Sequence, residues 1–282
     1  MKTVTVRVPG TTANLGPGFD CLGVALKLYN TVTICASQSS PRQPFLREII
    51  ERFYAEASLR RRSFSVKIQG DVPSSRGLGS SVTVRMGLLM ALNEFYQHPL
   101  TPTKILDITS ELEGHPDNAV PAFHGGFCAC IDCDHIRVEV PASVKFIAII
   151  PSHKVKTEEA RSVIPNRVKH KDAVTNLRNS SMITGAFCSG QYEKLAGCFA
   201  DKLHQPFRAK LIPGFNEAIT AAEKAGALGA FLSGSGSTII AITLSNSNAI
   251  AKAMEESLKS AGHRTLTKHV LTADNQGAKV IR

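Results

Sequence analysis

Residues 73–83, PSSRGLGSSVT, combine glycines, serines and an arginine directly ahead of an apolar run that is typical of a helix. Gly77 and Gly79 permit backbone angles that a side chain forbids, so amide groups can approach an anion closely. Ser80 and Ser81 can cap the helix, whose N-terminus attracts phosphate through its dipole and its free N–H groups. Neither the Walker ending GK[ST] nor the dinucleotide pattern GxGxxG is present. The segment predicts a phosphate-binding loop of another type, and a capped turn before a core helix is the alternative.

Two further segments rich in glycine could contribute to the same site. Residues 10–20, GTTANLGPGFD, hold Asn14 and Asp20 in a frame of Gly and Pro that can fix polar side chains, although Asx turns would explain them as well. Residues 232–238, LSGSGST, join two apolar segments and suit either close approach to a ligand or a tight hairpin. These segments are named the N-terminal loop (10–20), the serine-glycine loop (73–83) and the C-terminal glycine loop (232–238).

Cysteines close to a histidine in FCACIDCDH raise the question of a metal site. Cys128 and Cys130 alternate in a run typical of a strand and therefore share one face. Cys133 and His135 follow, but no second CxxC or HxxxH element exists to complete a tetrahedral site. We interpret these cysteines as half-buried strand thiols, and all seven cysteines of the chain as reduced. Metal binding at the CxCxxC group is the alternative.

Strand and helix patterns alternate around the three loops. Strands are predicted over residues 1–8 and 24–36, and the segment HPDNAVPAFHGG (115–126) is predicted to be an irregular loop. Helices are predicted over about residues 44–57, 80–97, 103–113, 157–164, 171–187, 191–203, 213–225 and 247–261. An apolar strand near residue 145 restarts the pattern. The sequence therefore predicts two mixed α+β domains, 1–144 and 145–282.

The basic charge of the chain is spread along its length. Lys and Arg number 33 against 23 Asp and Glu, which gives a net charge of +10, and the densest cluster is only Arg60 to Arg62. Trp is absent, so the chain has few aromatic side chains on which the bases of a nucleic acid could stack. No apolar run approaches the roughly 20 residues of a membrane helix, and the N-terminus alternates like a strand rather than a signal peptide. We expect a cytoplasmic protein that binds neither nucleic acid nor membrane, and small anionic ligands for its basic residues.

Taken together, the motifs resemble a known family. VPGTTANLGPGFDCLG, PSSRGLGSSVT and LSGSGST resemble the three signature motifs of the GHMP kinases, and EGHPDNAVPA, KTEEARSVIP and DKLHQPFRAKLIPGF resemble one branch, the homoserine kinases. The resemblance runs in order from residue 4 to residue 281. It implies an α+β, two-domain GHMP kinase fold. The N-terminal α/β domain would carry the ATP loop in a left-handed βαβ unit, the C-terminal domain would be ferredoxin-like, and the site would lie between them.

The same resemblance implies ATP as co-substrate and Mg²⁺ as cofactor. The whole serine-glycine loop would wrap the ATP phosphates: Pro73, Ser74, Ser75, Arg76, Gly77, Leu78, Gly79, Ser80, Ser81, Val82 and Thr83. Mg²⁺ prefers oxygen ligands, and Glu113 with Ser81 would supply them. Glu111 and Ser80 are the alternatives, because the ELEG stretch leaves the register open.

For the second substrate, the resemblance implies L-homoserine, phosphorylated in threonine biosynthesis. Arg161 and Arg208 would bind its carboxylate, since the guanidinium fork pairs bidentately with such a group; an ion pair of Arg161 with Glu158 is the alternative. Binding residues would be Asn14, Asp20, His115, Thr157, Arg161, Arg208 and Gly234, with Ser235 and Gly236 shaping the site. Catalytic residues would be Asp20, Asn14 and Asn118. Asn118 stands where related kinases carry an aspartate base, so direct in-line transfer is expected, with Asp20 orienting the hydroxyl.

The chain departs from the family pattern at several positions. Val82 stands where a small residue is usual, and we expect its side chain to add bulk beside the phosphates. Ser237 replaces a proline, and the short segment 37–72 leaves the nucleotide preference open. Two rival functions remain: another GHMP kinase acting on a carboxylate-bearing alcohol, and a ligand-binding descendant without activity. A homodimer is also left open.

Overall fold

Two β-sheets form the framework of the described residues, 2–281 of a computed structural model. The strands are β1 (Thr3–Ala13), β2 (Leu22–Ala36), β3 (Phe64–Gly70), β4 (Phe127–Ile131), β5 (Asp134–Val138), β6 (Lys145–Pro151), β7 (Gly229–Leu232), β8 (Ile239–Thr243), β9 (Leu266–Leu271) and β10 (Lys279–Ile281). The first sheet has the order β10-β1-β2-β4-β5, with β3 also paired to β2, and the second has the order β7-β8-β6-β9. Neighbouring strands are antiparallel in both.

Helices follow the predicted positions with three exceptions, the first of which is a four-residue helix, Gln205–Arg208, that was not predicted. They are α1 (Pro44–Ala57), α2 (Ser80–Phe95), α3 (Pro102–Glu113), α4 (Pro116–His124), α5 (Thr157–Ser162), α6 (His170–Ser189), α7 (Gln205–Arg208), α8 (Phe215–Lys224) and α9 (Ser247–Ser260). The predicted helix over 191–203 is wrong. A short 3-10 helix, Tyr192–Leu195, forms there instead, between Gly190 and Gly197, whose φ angles are positive. The predicted loop over 115–126 is also wrong, since α4 lies within it. Pro116 occupies the first helical position, where no N–H is needed.

Three apolar cores hold the elements in place. The first packs α1, α2, α3 and α4 on the first sheet, with Val6, Phe53 and Leu89 at its centre. The second contains residues of both sheets, among them Phe127 and Phe146, and therefore joins the two halves. The third packs α8 and α9 on the outer face of the second sheet. No helix among the described residues is long and apolar enough to cross a membrane.

The second sheet has the predicted ferredoxin-like arrangement. Its strands run in the pattern β6-helices-β7-β8-α9-β9, and the spatial order β9-β6-β8-β7 is that of the split βαβ fold. The last strand, β10, leaves this half and pairs with β1. The division into domains 1–144 and 145–282 therefore remains a prediction. Residues 279–281 belong to the second of these ranges but pair with a strand of the first. The handedness of the βαβ unit stays a prediction too.

Candidate active site

A cleft of about 530 Å³ is lined by residues of both halves of the chain. Most of the predicted site residues lie on its walls: Asn14, Asp20, Ser74, Ser75, Arg76, Gly77, Gly79, Ser80, Ser81, Glu113, His115, Asn118, Thr157, Arg161, Arg208, Gly234 and Ser235. The predicted residues that do not line it are Pro73, Leu78, Val82, Thr83, Glu111 and Gly236. The three loops thus come together at one site, although the first and the last are separated by more than two hundred residues of sequence.

Hydrogen bonds connect the three loops to one another. Thr11 N–H donates to Leu78 O (3.1 Å), Gly234 N–H to Ala13 O (3.2 Å) and the Ser233 hydroxyl to Gly77 O (2.6 Å). Gly77 has a φ of 74°, and a Cβ atom there would collide with the Ser233 carbonyl. The close approach of the serine-glycine loop to the C-terminal glycine loop therefore requires glycine at this position.

The serine-glycine loop ends at the N-terminus of α2. Gly79, in a left-handed conformation, is the N-cap, and no side chain caps this helix. The expectation that Ser80 or Ser81 caps it is wrong, because both lie in its first turn and line the cleft. The N–H groups of the first turn have no intrahelical partner. They can therefore bind an anion in the cleft.

Three residues of the serine-glycine loop direct their side chains away from the cleft. Leu78, Val82 and Thr83 are fully buried, and Val82 belongs to the core between α2 and the first sheet. The expectation that the Val82 side chain adds bulk beside the phosphates is wrong, since a helix places residues 81 and 82 on different faces. These three residues can meet a ligand only through their backbone.

Glu113 and Glu111, the two candidates for a metal ligand, lie in different surroundings. The Ser81 hydroxyl donates to Glu113 Oε2 at 3.0 Å, and the Glu113 side chain is only 8% exposed. Arg85 pairs with the other oxygen of Glu113 at 2.5 Å. Glu111 is 54% exposed outside the cleft and pairs with Arg52. Of these two residues, Glu113 is the one that offers a carboxylate beside the first turn of α2.

Opposite charges face each other at the other end of the cleft. Arg161, in the short helix α5, donates to both carboxylate oxygens of Asp20, at 3.1 and 2.9 Å. Both side chains remain more than a third exposed. Asn14 accepts from the Asp20 N–H (3.0 Å) and donates to Gly234 O (3.1 Å). Arg161 thus pairs with Asp20 and not with Glu158, the alternative considered from sequence.

Arg208 is the second cation at this end. It is 2% exposed and donates to Ala160 O at 3.0 Å and to Gly234 O at 3.1 Å. Burial, together with the neighbouring Arg161, lowers its pKa to about 10, so it stays charged at neutral pH. The Phe19 ring lies within 5.6 Å of both guanidinium groups. Two cations around one aromatic ring suit a carboxylate ligand.

His115, Asp117 and Asn118 form a buried group at the start of α4. Asp117 Oδ1 lies 2.7 Å from His115 Nδ1 and accepts from Asn118 Nδ2 at 3.2 Å. Burial lowers the pKa of His115, but the hydrogen bond to Asp117 and its charge outweigh that effect, and the net pKa is raised. The sequence prediction named His115 and Asn118 and missed Asp117. The position of Asp117 between two predicted site residues, within the segment HPDN, could have identified it.

The cysteines of the CxCxxC group lie on β4 and in the turn after it. Cys128 is fully buried, and burial raises its pKa to about 12. Metals bind the thiolate, which such a shift disfavours. Among the described residues, the one group of three candidate ligands close enough to share an ion is Asp20, His115 and Asp117, which lies in the cleft and contains no cysteine.

Models of two known domains match parts of the chain. The model of the GHMP kinases N terminal domain matches residues 44–126, and that of the GHMP kinases C terminal domain matches residues 185–260. A homoserine kinase of Clostridium beijerinckii is 36% identical over 296 residues, covering 99% of this chain and 98% of the relative. One of Caldicellulosiruptor bescii is 35% identical over 299 residues, covering 98% and 96%.

A solved structure extends the likeness to the fold. The crystal structure of homoserine kinase from Cytophaga hutchinsonii superposes with a TM-score of 0.90 at 26% sequence identity, covering 100% of this chain and 98% of that one. The α+β, two-domain fold expected from the sequence is thereby confirmed. Since the matches extend over nearly the whole length of both partners, the chain belongs to the homoserine kinase family of the GHMP kinases.

Proposed function

We propose that the cleft binds ATP and L-homoserine and that the protein transfers the γ-phosphoryl group to the homoserine side-chain hydroxyl, a step of threonine biosynthesis. The observation that supports this proposal is that one cleft contains two different groups of residues. At one end the N-terminus of α2 lies beside glycines, and at the other end Arg161 and Arg208 lie beside the carboxylate of Asp20. The first end suits a phosphate chain and the second suits an amino acid. Family membership agrees with both.

The phosphate end of the cleft would hold ATP mainly through its backbone. Gly77 and Gly79 let the serine-glycine loop approach the phosphates, and the free N–H groups of the first turn of α2 would donate to their oxygens. Ser74, Ser75 and Ser80 line the same wall and could add hydroxyl donors. Leu78, Val82 and Thr83 would take part through the backbone alone.

Mg²⁺ fits the phosphate end because two oxygen donors meet there. The Ser81 hydroxyl and Glu113 are in contact at 3.0 Å, beside the helix N-terminus where the phosphates would lie. We propose these two as its protein ligands, with water and phosphate oxygens completing the set. When bound, the ion would neutralise charge that develops on the phosphate oxygens. Arg85, paired with Glu113, would keep that carboxylate in place.

The amino-acid end of the cleft would receive homoserine as a zwitterion. Arg161 and Asp20 pair with each other at this end of the cleft and are both partly exposed. Homoserine carries one charge of each sign, so its carboxylate can pair with Arg161 and Arg208 and its ammonium with Asp20. The ion pair between Arg161 and Asp20 would thus be replaced by ion pairs of these residues with the two charged groups of homoserine. Such an exchange selects compounds that carry both charges and disfavours sugars or simple alcohols.

Transfer would then depend on positioning more than on a strong base. The Asn118 side chain replaces the aspartate base of related kinases, and an amide cannot accept the hydroxyl proton as a base does. Asp20 lies at the amino-acid end and would orient the hydroxyl, with Asn14 holding the Asp20 backbone. Direct in-line transfer needs reactants held in line and charge neutralised, and these residues would supply both.

A coupled assay of ADP release tests the proposal. Purified protein is given ATP and Mg²⁺ with L-homoserine, other hydroxy-amino acids, mevalonate or galactose. We expect turnover to be fastest with L-homoserine and slow with the two compounds that lack an ammonium group. If another carboxylate-bearing alcohol were turned over faster than L-homoserine, that compound would be the substrate instead. No ADP release with any alcohol would support a ligand-binding protein without activity.

A cytoplasmic location and a homodimer are part of this proposal. Both rest on membership of a family of small-molecule kinases, not on a contact in the structure. Cell fractionation with an antibody and light scattering of the purified protein test them. A membrane-bound fraction would contradict the first, and a molar mass near 30.3 kDa, that of one chain, would contradict the second.

A further inference from the structure

We propose that His204 is a positioning residue, which holds Arg208 so that one nitrogen of its guanidinium, Nη2, is presented to the carboxylate of the amino-acid substrate. The inference rests on the proposed function and deepens it, because it identifies what keeps a substrate-binding side chain in place. His204 is fully buried and does not line the cleft, so it would act through Arg208 and not by touching a ligand.

The two ring nitrogens of His204 have partners of opposite kinds. Nε2 lies 2.8 Å from the carbonyl oxygen of Gly16, which can only accept a hydrogen bond, so Nε2 carries the proton. Nδ1 lies 3.3 Å from Nη1 of Arg208, which can only donate, so Nδ1 accepts. Both contacts are made together only by the neutral ring with its proton on Nε2. The geometry therefore fixes the tautomer of His204.

The surroundings of His204 favour this neutral ring. Burial is the main cause that lowers its pKa, and the charge of Arg208 acts in the same direction; Asp201 and Asp20 act in the opposite direction, and the net pKa is lowered. Asp201 Oδ2 lies 3.6 Å from Nε2, and it accepts from the backbone N–H of His204 at 2.9 Å. A second proton, on Nδ1, would face the N–H of Arg208 and break the contact between the two side chains.

Three of the five N–H groups of Arg208 are bound by the protein. Nε donates to Ala160 O at 3.0 Å, and Nη1 donates to Gly234 O at 3.1 Å and to His204 Nδ1 at 3.3 Å. Within residues 2–281, Nη2 has no hydrogen-bond acceptor, and Arg208 lines the cleft. The two N–H groups of Nη2 are therefore the ones available to a carboxylate. Bidentate pairing through both Nη1 and Nη2 is then left to Arg161.

His204 also connects Arg208 to the N-terminal loop. Its ring stacks on Phe19 with the ring centroids 5.0 Å apart, and the Arg208 guanidinium carbon lies 5.2 Å from the centroid of Phe19. Gly16 and Phe19 both belong to the loop that carries Asp20, the residue proposed to bind the ammonium group. His204 would thus fix the distance between the two positions at which the charged groups of an amino acid are bound.

A simpler role for His204 is to fill space in the interior beside Phe19. Two variants separate packing from positioning, because each keeps one polar contact. The amide of His204→Asn branches from Cγ, as Nδ1 does, and its oxygen can still accept from Arg208. The amide of His204→Gln reaches the place of Nε2 and can donate only to Gly16. Packing predicts that the smaller Asn is the worse variant, whereas positioning predicts that Gln is worse.

The first experiment locates the ring proton of His204 by ¹⁵N NMR of the full ligand-free chain, with the signal assigned through the backbone resonances of the labelled protein. We expect a proton on Nε2, an unprotonated Nδ1 and no change from about pH 6 to about pH 8. A proton on Nδ1, or a protonated ring at neutral pH, would overturn the proposal without any variant.

The second experiment measures kcat and KM for homoserine, and KM for ATP. Because a hydrogen bond to a charged group is lost, His204→Gln should raise KM for homoserine by about tenfold and leave KM for ATP within about twofold. His204→Asn should raise KM for homoserine less. His263→Asn, which removes a histidine–carbonyl hydrogen bond of 2.8 Å outside the cleft, is the control and should change neither value. A larger rise in His204→Asn than in His204→Gln would assign His204 to packing and contradict the proposal.

A double variant tests whether His204 acts through Arg208. Adding His204→Gln to Arg208→Gln should cost much less than His204→Gln costs alone, and fully additive losses would contradict the positioning role. Should the His204 variants not fold, the NMR experiment on the unaltered protein still decides. Should the unaltered protein not phosphorylate homoserine, the proposed function fails, and the position of the ring proton still supports or overturns the contact between His204 and Arg208.

Discussion

The two ends of the cleft are built from different parts of the chain. At the phosphate end, glycines and the first turn of α2 present backbone groups, and the loops are joined there by main-chain atoms. At the amino-acid end, charged side chains would do the binding, and they come from elements far apart in sequence, such as Asp20 and Arg161. Apart from Ser81 and Glu113, the phosphate end would act mainly through its backbone, whereas the amino-acid end depends on the identity of its side chains.

This difference determines how each end responds to substitution. A backbone site tolerates changes of side chains that point away from it, as Val82 and Thr83 do, but not a Cβ where two loops touch. A side-chain site keeps its shape when one charge is removed, and loses affinity for one substrate only. The predictions below use variants that lie at one end or the other.

The largest effect is expected from Gly77→Ala. Alanine would be held at a positive φ and would push the serine-glycine loop off the Ser233 carbonyl. A displacement of about 1 Å at a reacting centre can cost on the order of 100-fold in rate, and we expect at least this loss in kcat/KM for ATP. Gly185→Ala, in α6 with open space around it, is the control and should leave turnover unchanged. Full activity in Gly77→Ala would mean that the loops need not touch.

Arg161→Gln should affect the amino-acid end alone. A charge-assisted hydrogen bond contributes about 1.5–3 kcal/mol, so we expect KM for homoserine to rise by about 10- to 100-fold, with KM for ATP nearly unchanged. Because Arg161 is 39% exposed, the melting temperature should change little. Arg178→Gln, on the exposed side of α6, is the control. An equal rise in both KM values would show that the two ends are not independent.

The phosphate end was largely predictable from the sequence, whereas the amino-acid end was not. Glycine spacing and a following apolar run suffice to predict a loop before a helix, because the reasons are local. The Asp20–Arg161 pair joins residues 141 positions apart, and no periodicity reports such a contact. The roles of these two residues were inferred from the family resemblance, which indicates the residues of a site but not which of them form hydrogen bonds with one another.

The remaining errors have local causes of another kind. Helix α4 was missed because two prolines and two glycines in residues 115–126 are typical of a loop, yet Pro116 fits the first helical position. Val82 was expected beside the phosphates although the helix was correctly predicted to begin at about residue 80. The first turn of α2 directs the Val82 side chain into the core instead.

Glu113→Gln should change the response to Mg²⁺ at the phosphate end. If Glu113 is the proposed ligand, its loss weakens binding of a hard cation, and the Mg²⁺ concentration for half-maximal turnover should rise by about tenfold. Calorimetry of MgATP binding to the variant gives a second readout that does not depend on turnover. Glu111→Gln is the matched control, since Glu111 pairs with Arg52 outside the cleft. A larger shift in Glu111→Gln than in Glu113→Gln would reverse the assignment.

The smallest effect on ligand binding is expected from Val82→Ala. Its side chain lies in the core beneath α2, so the substitution removes buried apolar surface and should lower the free energy of unfolding by about 1–3 kcal/mol. The backbone that would meet the phosphates is unchanged, and ATP affinity should stay within about twofold. Val84→Ala is the matched variant, because Val84 is nearly buried but lines the cleft. Calorimetry and thermal unfolding of both variants compare the two faces of one helix. If Val82→Ala weakened ATP binding more than Val84→Ala, the phosphate end would depend on core packing as well as on its glycines, and the contrast between the two ends would be smaller than the structure indicates.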